Sequence, residues 1–398
     1  MITLNGRRGV LALAATQIAG WGSTYFIPAM LSVPIAEDLG MRPAFVYSGV
    51  TIQLVIGAFA GTWIGRHVDR HGPRAILMAG SACMGVGLLC LGLSGGIAGF
   101  VAAWAIMGLG MPMVLIQTPF AAAAMLVPGA ARRAIGLMTL IGSLTTVLFL
   151  PAMAVLDGLL GWRGICLLFA AVQLAVCVPL HAAIRVRPIE RDADTPTAEG
   201  AADGIADPVQ RRRAFWAMAV AFSCVGFVTW GLPIHLVDLA RAYGESEALS
   251  VAVGAVMGPA QMAARAIESA FGQRVPILRL GFYSLMTIFA ALALPLLFGG
   301  TATLLMLMVI GYGLGAGVNT IVRAIAPLVV FGRSGYATVL GKLGLPLNLV
   351  FATAPFAIAE AIERGGPAAG VALCAAAILV SMAGMAQLRR IAGPSGGA

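Results

Sequence analysis

Two stretches of this chain, residues 75–93 and 368–385, run without a single charged side chain. A run of that length is close to one helical crossing of a bilayer, which takes about 20 apolar residues for a hydrocarbon core about 30 Å thick. Only helices and closed barrels satisfy their backbone hydrogen bonds in lipid. Barrel strands alternate polar and apolar residues over short segments, so unbroken runs point to helices. Composition extends this to the whole chain: 60% of its 398 residues are hydrophobic, 10% are charged, and the mean hydropathy is +0.95. A water-soluble chain of this length needs more polar surface. The expected fold is an all-α membrane protein.

Apolar runs broken by glycine, proline and charge predict twelve transmembrane helices. They fall at roughly 9–33, 43–64, 75–93, 97–124, 134–156, 164–184, 214–237, 248–268, 279–298, 302–326, 336–359 and 367–388, numbered here as spans 1 to 12. Residues 185–213 form the one long polar segment, with Glu190, Asp192, Asp194, Glu199, Asp203 and Asp207 among small residues. We read it as a cytoplasmic linker between an N-terminal six-helix bundle, 1–184, and a C-terminal one, 214–398. The termini and even-numbered connections hold most arginines, among them Arg66, Arg70, Arg74, Arg132, Arg133, Arg212, Arg213, Arg274 and Arg389. Odd-numbered connections hold only Arg42, Arg163, Arg241 and Arg364, together with acids such as Asp38, Asp157, Glu247 and Glu360. By the positive-inside rule both termini and the linker face the cytoplasm. A multi-pass protein of the cell inner membrane is expected, and the net charge of +9 needs no nucleic acid to explain it. Arg7 and Arg8 lead into a segment long enough to span, with no small-residue cleavage site, so no cleavable signal peptide is expected. The six cysteines lie inside apolar runs without CxxC spacing and read as small buried hydrophobes. No metal or cofactor site is expected, and no phosphate loop or nucleophile motif suggests an enzyme.

The halves can be laid over each other. Thr24 and Pro28 match Thr229 and Pro233 at a shift of 205, and Gly108-Leu109-Gly110 matches Gly313-Leu314-Gly315 at the same shift. Gly95-Gly96 matches Gly299-Gly300 at 204, Pro151 matches Pro355 at 204, and Gly142 matches Gly344 at 202. Any one glycine match is cheap, but a shift held within three residues over five helices is not. The spans therefore form two pseudo-symmetric bundles.

Between spans 2 and 3 lies Gly65-Arg66-His67-Val68-Asp69-Arg70-His71-Gly72-Pro73-Arg74. Gly65 permits close helix approach, Gly72 supplies a turn conformation, and Asp69 suits a neighbouring helix N-terminus. His67 and His71 have no third ligand nearby and belong to this loop. The segment resembles the G-x-x-x-D-R-x-G-x-[RK] signature of the major facilitator superfamily, complete at Gly65, Asp69, Arg70, Gly72 and Arg74. That resemblance implies the major facilitator fold and a gating latch closed against span 11. The corresponding second-half loop keeps Arg274 but no acid. Phe331-Gly332-Arg333-Ser334-Gly335-Tyr336 with Gly341, and Gly20-Trp21-Gly22, are similar to elements of the monocarboxylate-porter-like and oxalate/formate-antiporter-like branch. Two marks of proton-coupled drug antiporters are missing: Trp104 stands where they carry an arginine, and the segment from Gly136 to Pro151 holds no Gly-Pro pair.

A charge near the bilayer centre costs about 3 kcal/mol or more, so such residues usually face a cavity or a partner. Arg265 and Glu268 in span 8, Arg323 in span 10 and Lys342, the single lysine, in span 11 are of this kind. Three cations against one acid favour an anion, and arginine grips carboxylate with two parallel hydrogen bonds. In oxalate-type relatives a span 8 arginine and a span 11 lysine bind substrate carboxylates, which the resemblance transfers to Arg265 and Lys342. The plainer alternative is that Arg265 pairs with Glu268 three residues on, while the cations snorkel to water. Porters of that branch also carry an acid where this chain has Gln261, and a span 1 lysine where it has Gln17 and Trp21. Gln17, Tyr25, Gln53, Gln117, Asn319 and Asn348 complete the candidate polar lining, some of them as interhelical bonds instead. His235 and Asp238 form a candidate coupling pair, or a solvated helix end continued by Arg241.

These observations lead us to expect a monomeric secondary active transporter that moves a small organic anion, a carboxylate, by rocking of the two bundles. Its partners would be the lipid bilayer, the substrate and a co-transported or exchanged ion. The alternatives are a proton-coupled efflux pump for toxic amphipathic compounds, whose adaptable cavity the many methionines would suit, and a receptor that binds without transporting.

Overall fold

The computed structural model describes residues 4–184, 186, 204–271 and 274–393. Most of the expected linker, 185 and 187–203, lies outside the described residues, including Glu190, Asp192, Asp194, Glu199 and Asp203. Among the described residues every regular element is helical. Nine stretches among the described residues are long and apolar enough to cross a membrane. The chain divides into two compact units, Met1–Gly200 with Ser334–Leu345, and Ala201–Arg333 with Pro346–Ala398. The first residues of span 11 therefore group with the first unit.

Each expected span maps onto one or more of the observed helices. The longest helix, Tyr336–Ala392, covers spans 11 and 12 and is broken at Gly366, with φ 75° and ψ 178°. Leu144–Val172 is broken in the same way at Gly161, with φ 62° and ψ 172°, where span 5 passes into span 6. Positive φ is the province of glycine, and these two breaks stand 205 residues apart, the shift of the repeat. Spans 1, 4, 7 and 8 are interrupted as well. Span 1, for example, is built from Leu4–Gly22 and Ile27–Leu39.

The repeated Gly-x-Gly has the same task in each unit. A Cβ on Gly108 would lie 2.9 Å from Ile56 of span 2, and one on Gly110 would lie 2.9 Å from the Gly80 carbonyl of span 3. In the second unit Gly313 meets Ala260 of span 8 at 2.8 Å, and Gly315 meets the Ser284 carbonyl of span 9 at 2.6 Å. Two glycines two residues apart point to different neighbours, so one helix packs tightly against two others. In lipid, where no hydrophobic force draws helices together, such close backbone approach is a main source of association.

One end of the first unit is closed by Arg163. Its guanidinium donates to the Gly92 carbonyl at 2.9 Å, to the Ser94 carbonyl at 2.7 Å and to Asp38 at 2.8 Å, and it lies over the Trp162 ring. Trp162 Nε1 also donates to Asp38, at 3.0 Å. The connections after spans 1, 3 and 5 are thereby tied together at a single end. Arg163→Ala is expected to lower stability by about 1–2 kcal/mol, discounted for partial exposure. Thermal unfolding in detergent measures it; an unchanged Tm would show the clasp to be energetically idle.

Candidate functional site

Asp69 sits half-buried near the end of the helix Ser48–His71, which Gly72 closes at φ 85°. Its Oδ1 accepts from the Ala337 amide at 3.1 Å; its Oδ2 accepts from the Thr338 amide at 2.8 Å and from Thr338 Oγ1 at 2.6 Å. Ala337 and Thr338 open the helix that begins at Tyr336. Their amides belong to the first turn, which has no intrahelical acceptors, and a carboxylate there also meets the positive end of the helix dipole. Asp69 is thus an N-cap supplied from another helix. Backbone contact makes this reach possible. A Cβ on Gly65 would lie 2.3 Å from the Ala337 carbonyl, and one on Gly341 would lie 2.2 Å from the Gly61 carbonyl. Arg70 and Arg74 are exposed beside this contact.

Next to it lies Gln117, whose buried Oε1 has no hydrogen-bond partner among the described residues. Its Nε2 fills the space that a side chain on Gly61 or Gly344 would need. Gln117 opens the second piece of span 4, Gln117–Leu126, after a break at Leu115 and Ile116. Pro119 explains the break: it has no N–H, so the Leu115 carbonyl four residues back loses its helical donor. Gln17 Nε2 takes that carbonyl at 2.7 Å, and Thr118 Oγ1 takes the Pro112 carbonyl at 3.1 Å. Gln17, expected as a ligand, is 4% exposed, and its amide group is committed to span 4. Gln17→Leu should therefore cost about 1–2 kcal/mol in stability and leave substrate affinity unchanged. A variant that lost affinity at unaltered Tm would return Gln17 to the binding site.

In the second unit the charged residues do gather. Arg265 on Met257–Phe271 reaches Thr320 Oγ1 at 3.5 Å, and Arg323 stands one turn beyond Thr320 on Ala302–Phe331. Both guanidinium side chains are half-buried. Arg323 lies 5.4 Å over the ring of Phe351, and Phe351 stacks on Trp230 at 5.4 Å with 12° between the planes. The Phe351 ring occupies the place of any side chain at Gly226, one turn before Trp230 on span 7. Glu268 is buried one turn after Arg265 on the same helix face. Spans 7, 8, 10 and 11 thus contribute to one row of two arginines, a hydroxyl and two aromatic rings.

The other candidates are placed elsewhere. Lys342 groups with the first unit and is exposed, on the helix face shared by Leu349 and Phe356 at spacings of seven and fourteen. Asn319 turns toward span 9, where its amide donates to Ser284 Oγ at 3.5 Å. Asn348 is buried in span 11, and Tyr25 is half-buried between Trp21 and Phe26. His235 and Asp238 hold different partners. His235 Nε2 donates to the Pro355 carbonyl at 2.9 Å, while exposed Asp238 pairs with Arg241 at 2.7 Å. Trp104 is fully buried against Gly49. Thr320, Phe351 and Trp230 are not legible as site residues in the sequence, since nothing in linear spacing brings three spans together. Nor is His181. That residue is fully buried, with Nδ1 3.0 Å from Ser81 Oγ and Nε2 2.9 Å from Thr16 Oγ1. A hydroxyl thus flanks each ring nitrogen, and Thr16 Oγ1 also donates to the Leu13 carbonyl.

A helical membrane fold built from a repeated unit, with polar groups gathered inside its spans, defines a polytopic transporter. The Major Facilitator Superfamily family model matches residues 12–355, and the chain belongs to that superfamily. Among solved structures, the human organic anion transporter MFSD10 (TETRAN) superposes with a TM-score of 0.71 at 17% identity, covering 96% of this chain and 99% of that one. Among curated proteins, the transcription regulatory protein OpdE of Pseudomonas aeruginosa is 30% identical over 173 residues. That match spans 42% of this chain and 41% of the relative, so the chain covers less than half the length of that protein.

Proposed function

We propose that the chain is a secondary active transporter that moves a small organic anion, a carboxylate, across the inner membrane by alternating access, with both termini in the cytoplasm. One observation carries the substrate class: Arg265 and Arg323 are held near each other, half-buried, on spans 8 and 10. With Glu268 buried one turn from Arg265, the two arginines leave one cation in excess, which the carboxylate of a substrate would balance in a low-dielectric setting. Guanidinium groups match carboxylate geometry with paired donors. Half-buried Trp230 would offer an apolar face to the carbon skeleton of such a substrate, with Phe351, 2% exposed, stacked behind it. The fold also serves an organic anion transporter in its human relative, which is consistent with this reading. Asp69, with Gly65, Gly72, Arg70 and Arg74 around it, would act as the latch on span 11 and would open and close once in each cycle.

The test is uptake of a radiolabelled carboxylate panel by proteoliposomes, beside thermal shift on the purified protein at two pH values. A bound substrate raises apparent stability by mass action, and a pH-dependent shift would identify proton coupling. Flux and stabilisation by at least one carboxylate are expected. A response only to amphipathic cations would replace this reading with drug efflux. A second reading has its own support: the partial relative is named for regulating transcription, which suits a sensor built on a transporter fold. Saturable carboxylate binding without flux would select it.

A further inference from the structure

Outside the site described above, the second unit carries a cavity of about 560 Å³ between the start of span 7 and the end of span 12. It changes character along its length. At one end stand Arg212 and Arg213, both exposed, with Gln387 across from them. Trp216 follows one turn further in and is 55% exposed. Beyond it the walls are Val220 and Val380. The helix that carries span 7, Pro208–Gly231, begins inside the expected linker, so that residues 209, 212, 213, 216 and 220 share one of its faces, and 380, 383, 384 and 387 share one face of span 12. The helices touch at the groove floor, where a Cβ on Gly384 would lie 2.9 Å from the Ala217 carbonyl. From Arg213 to Val220 the groove descends about 10 Å, at 1.5 Å per residue.

We infer that this groove binds an anionic phospholipid, with its phosphate on Arg212 and Arg213 and its acyl chains along Val220 and Val380. The gradient matches the ligand: cations at headgroup level, an indole at the interface where tryptophan favours the boundary, then an aliphatic slot at the depth of the chains. Basic pockets between spans take such headgroups from the negatively charged leaflet. A soluble phosphate compound would use the arginines but not the apolar slot; a zwitterionic lipid would use the slot but bring no net charge to the arginines. The inference is independent of the cargo proposed above.

Delipidated full-length protein in detergent, titrated with phosphatidylglycerol, phosphatidylcholine or glycerol 3-phosphate and read by native mass spectrometry, tests it. Phosphatidylglycerol should bind at least about tenfold more tightly than either comparison ligand. R212Q/R213Q should lose about thirtyfold in its apparent affinity, from two surface cations. R7Q/R8Q removes the same charge from exposed positions in the first unit and should lose nothing. Ala383→Phe fills the slot, leaves both guanidinium groups in place, and should also reduce phosphatidylglycerol binding. Equal binding of phosphatidylcholine, equal loss in R7Q/R8Q, or glycerol 3-phosphate matching the lipid would each overturn the assignment.

Discussion

Gly341→Leu is expected to abolish most transport and to expose the first amides of span 11. A leucine Cβ at this position would lie 2.2 Å from the Gly61 carbonyl, closer than any real contact, and its obstacle is backbone that no rotamer change can move. Spans 2 and 11 must then separate, and Asp69 loses its reach to Ala337 and Thr338. Overpacking costs about 1–3 kcal/mol and each lost bond to a carboxylate about 1.5–3 kcal/mol. Together these shift the population away from the capped arrangement by about a hundredfold or more. Hydrogen exchange at Ala337 and Thr338 should accelerate by a similar factor, alongside the fall in proteoliposome uptake. Asp69→Asn should do the same more weakly, because a neutral amide still offers one acceptor. Gly142→Ala, with open space around it, serves as the neutral control. Unchanged exchange in Gly341→Leu would end the idea that this contact gates anything.

Arg323→Gln is expected to weaken carboxylate binding about a hundredfold, since truncating one partner of a buried charge pair costs about 2–5 kcal/mol. The unliganded protein should keep its Tm or gain, because the variant removes the excess cation and gives up only a cation–π contact of about 0.5–1 kcal/mol. Arg265→Gln separates two roles. A ligand arginine gives lost affinity at constant Tm. An arginine that serves Glu268 leaves a buried carboxylate uncompensated, and Tm falls. Unaltered affinity in both variants would remove the anion from the proposal.

The membrane class, the helical architecture and the repeat were legible in the sequence because each rests on composition or fixed spacing. Runs such as 75–93 need no tertiary knowledge, and the Gly-x-Gly shift survives any helix geometry. Gly161 and Gly366 repeat at the same interval but escaped notice, since a glycine announces positive φ only once its neighbours are known to be helical. The site was less legible. Lys342 reads as equivalent to Arg265 because both are charges inside apolar runs, yet one is exposed and the other half-buried, a difference that linear spacing does not encode. Gln17 reads as a ligand because it is an amide inside an apolar run, and the carbonyl it serves is freed by Pro119, about a hundred residues away in sequence. The Phe351–Trp230 stack depends on a vacancy at Gly226 that sequence spacing does not encode.

That proline has a mechanical meaning. Span 4 is two rods, Ile97–Val114 and Gln117–Leu126, joined where its own hydrogen-bond ladder is interrupted and a side chain from span 1 fills in. Bending at such a joint strains two side-chain bonds, from Gln17 and Thr118, rather than a run of backbone ones. Span 1 therefore holds part of the joint in span 4, through the side chain at position 17.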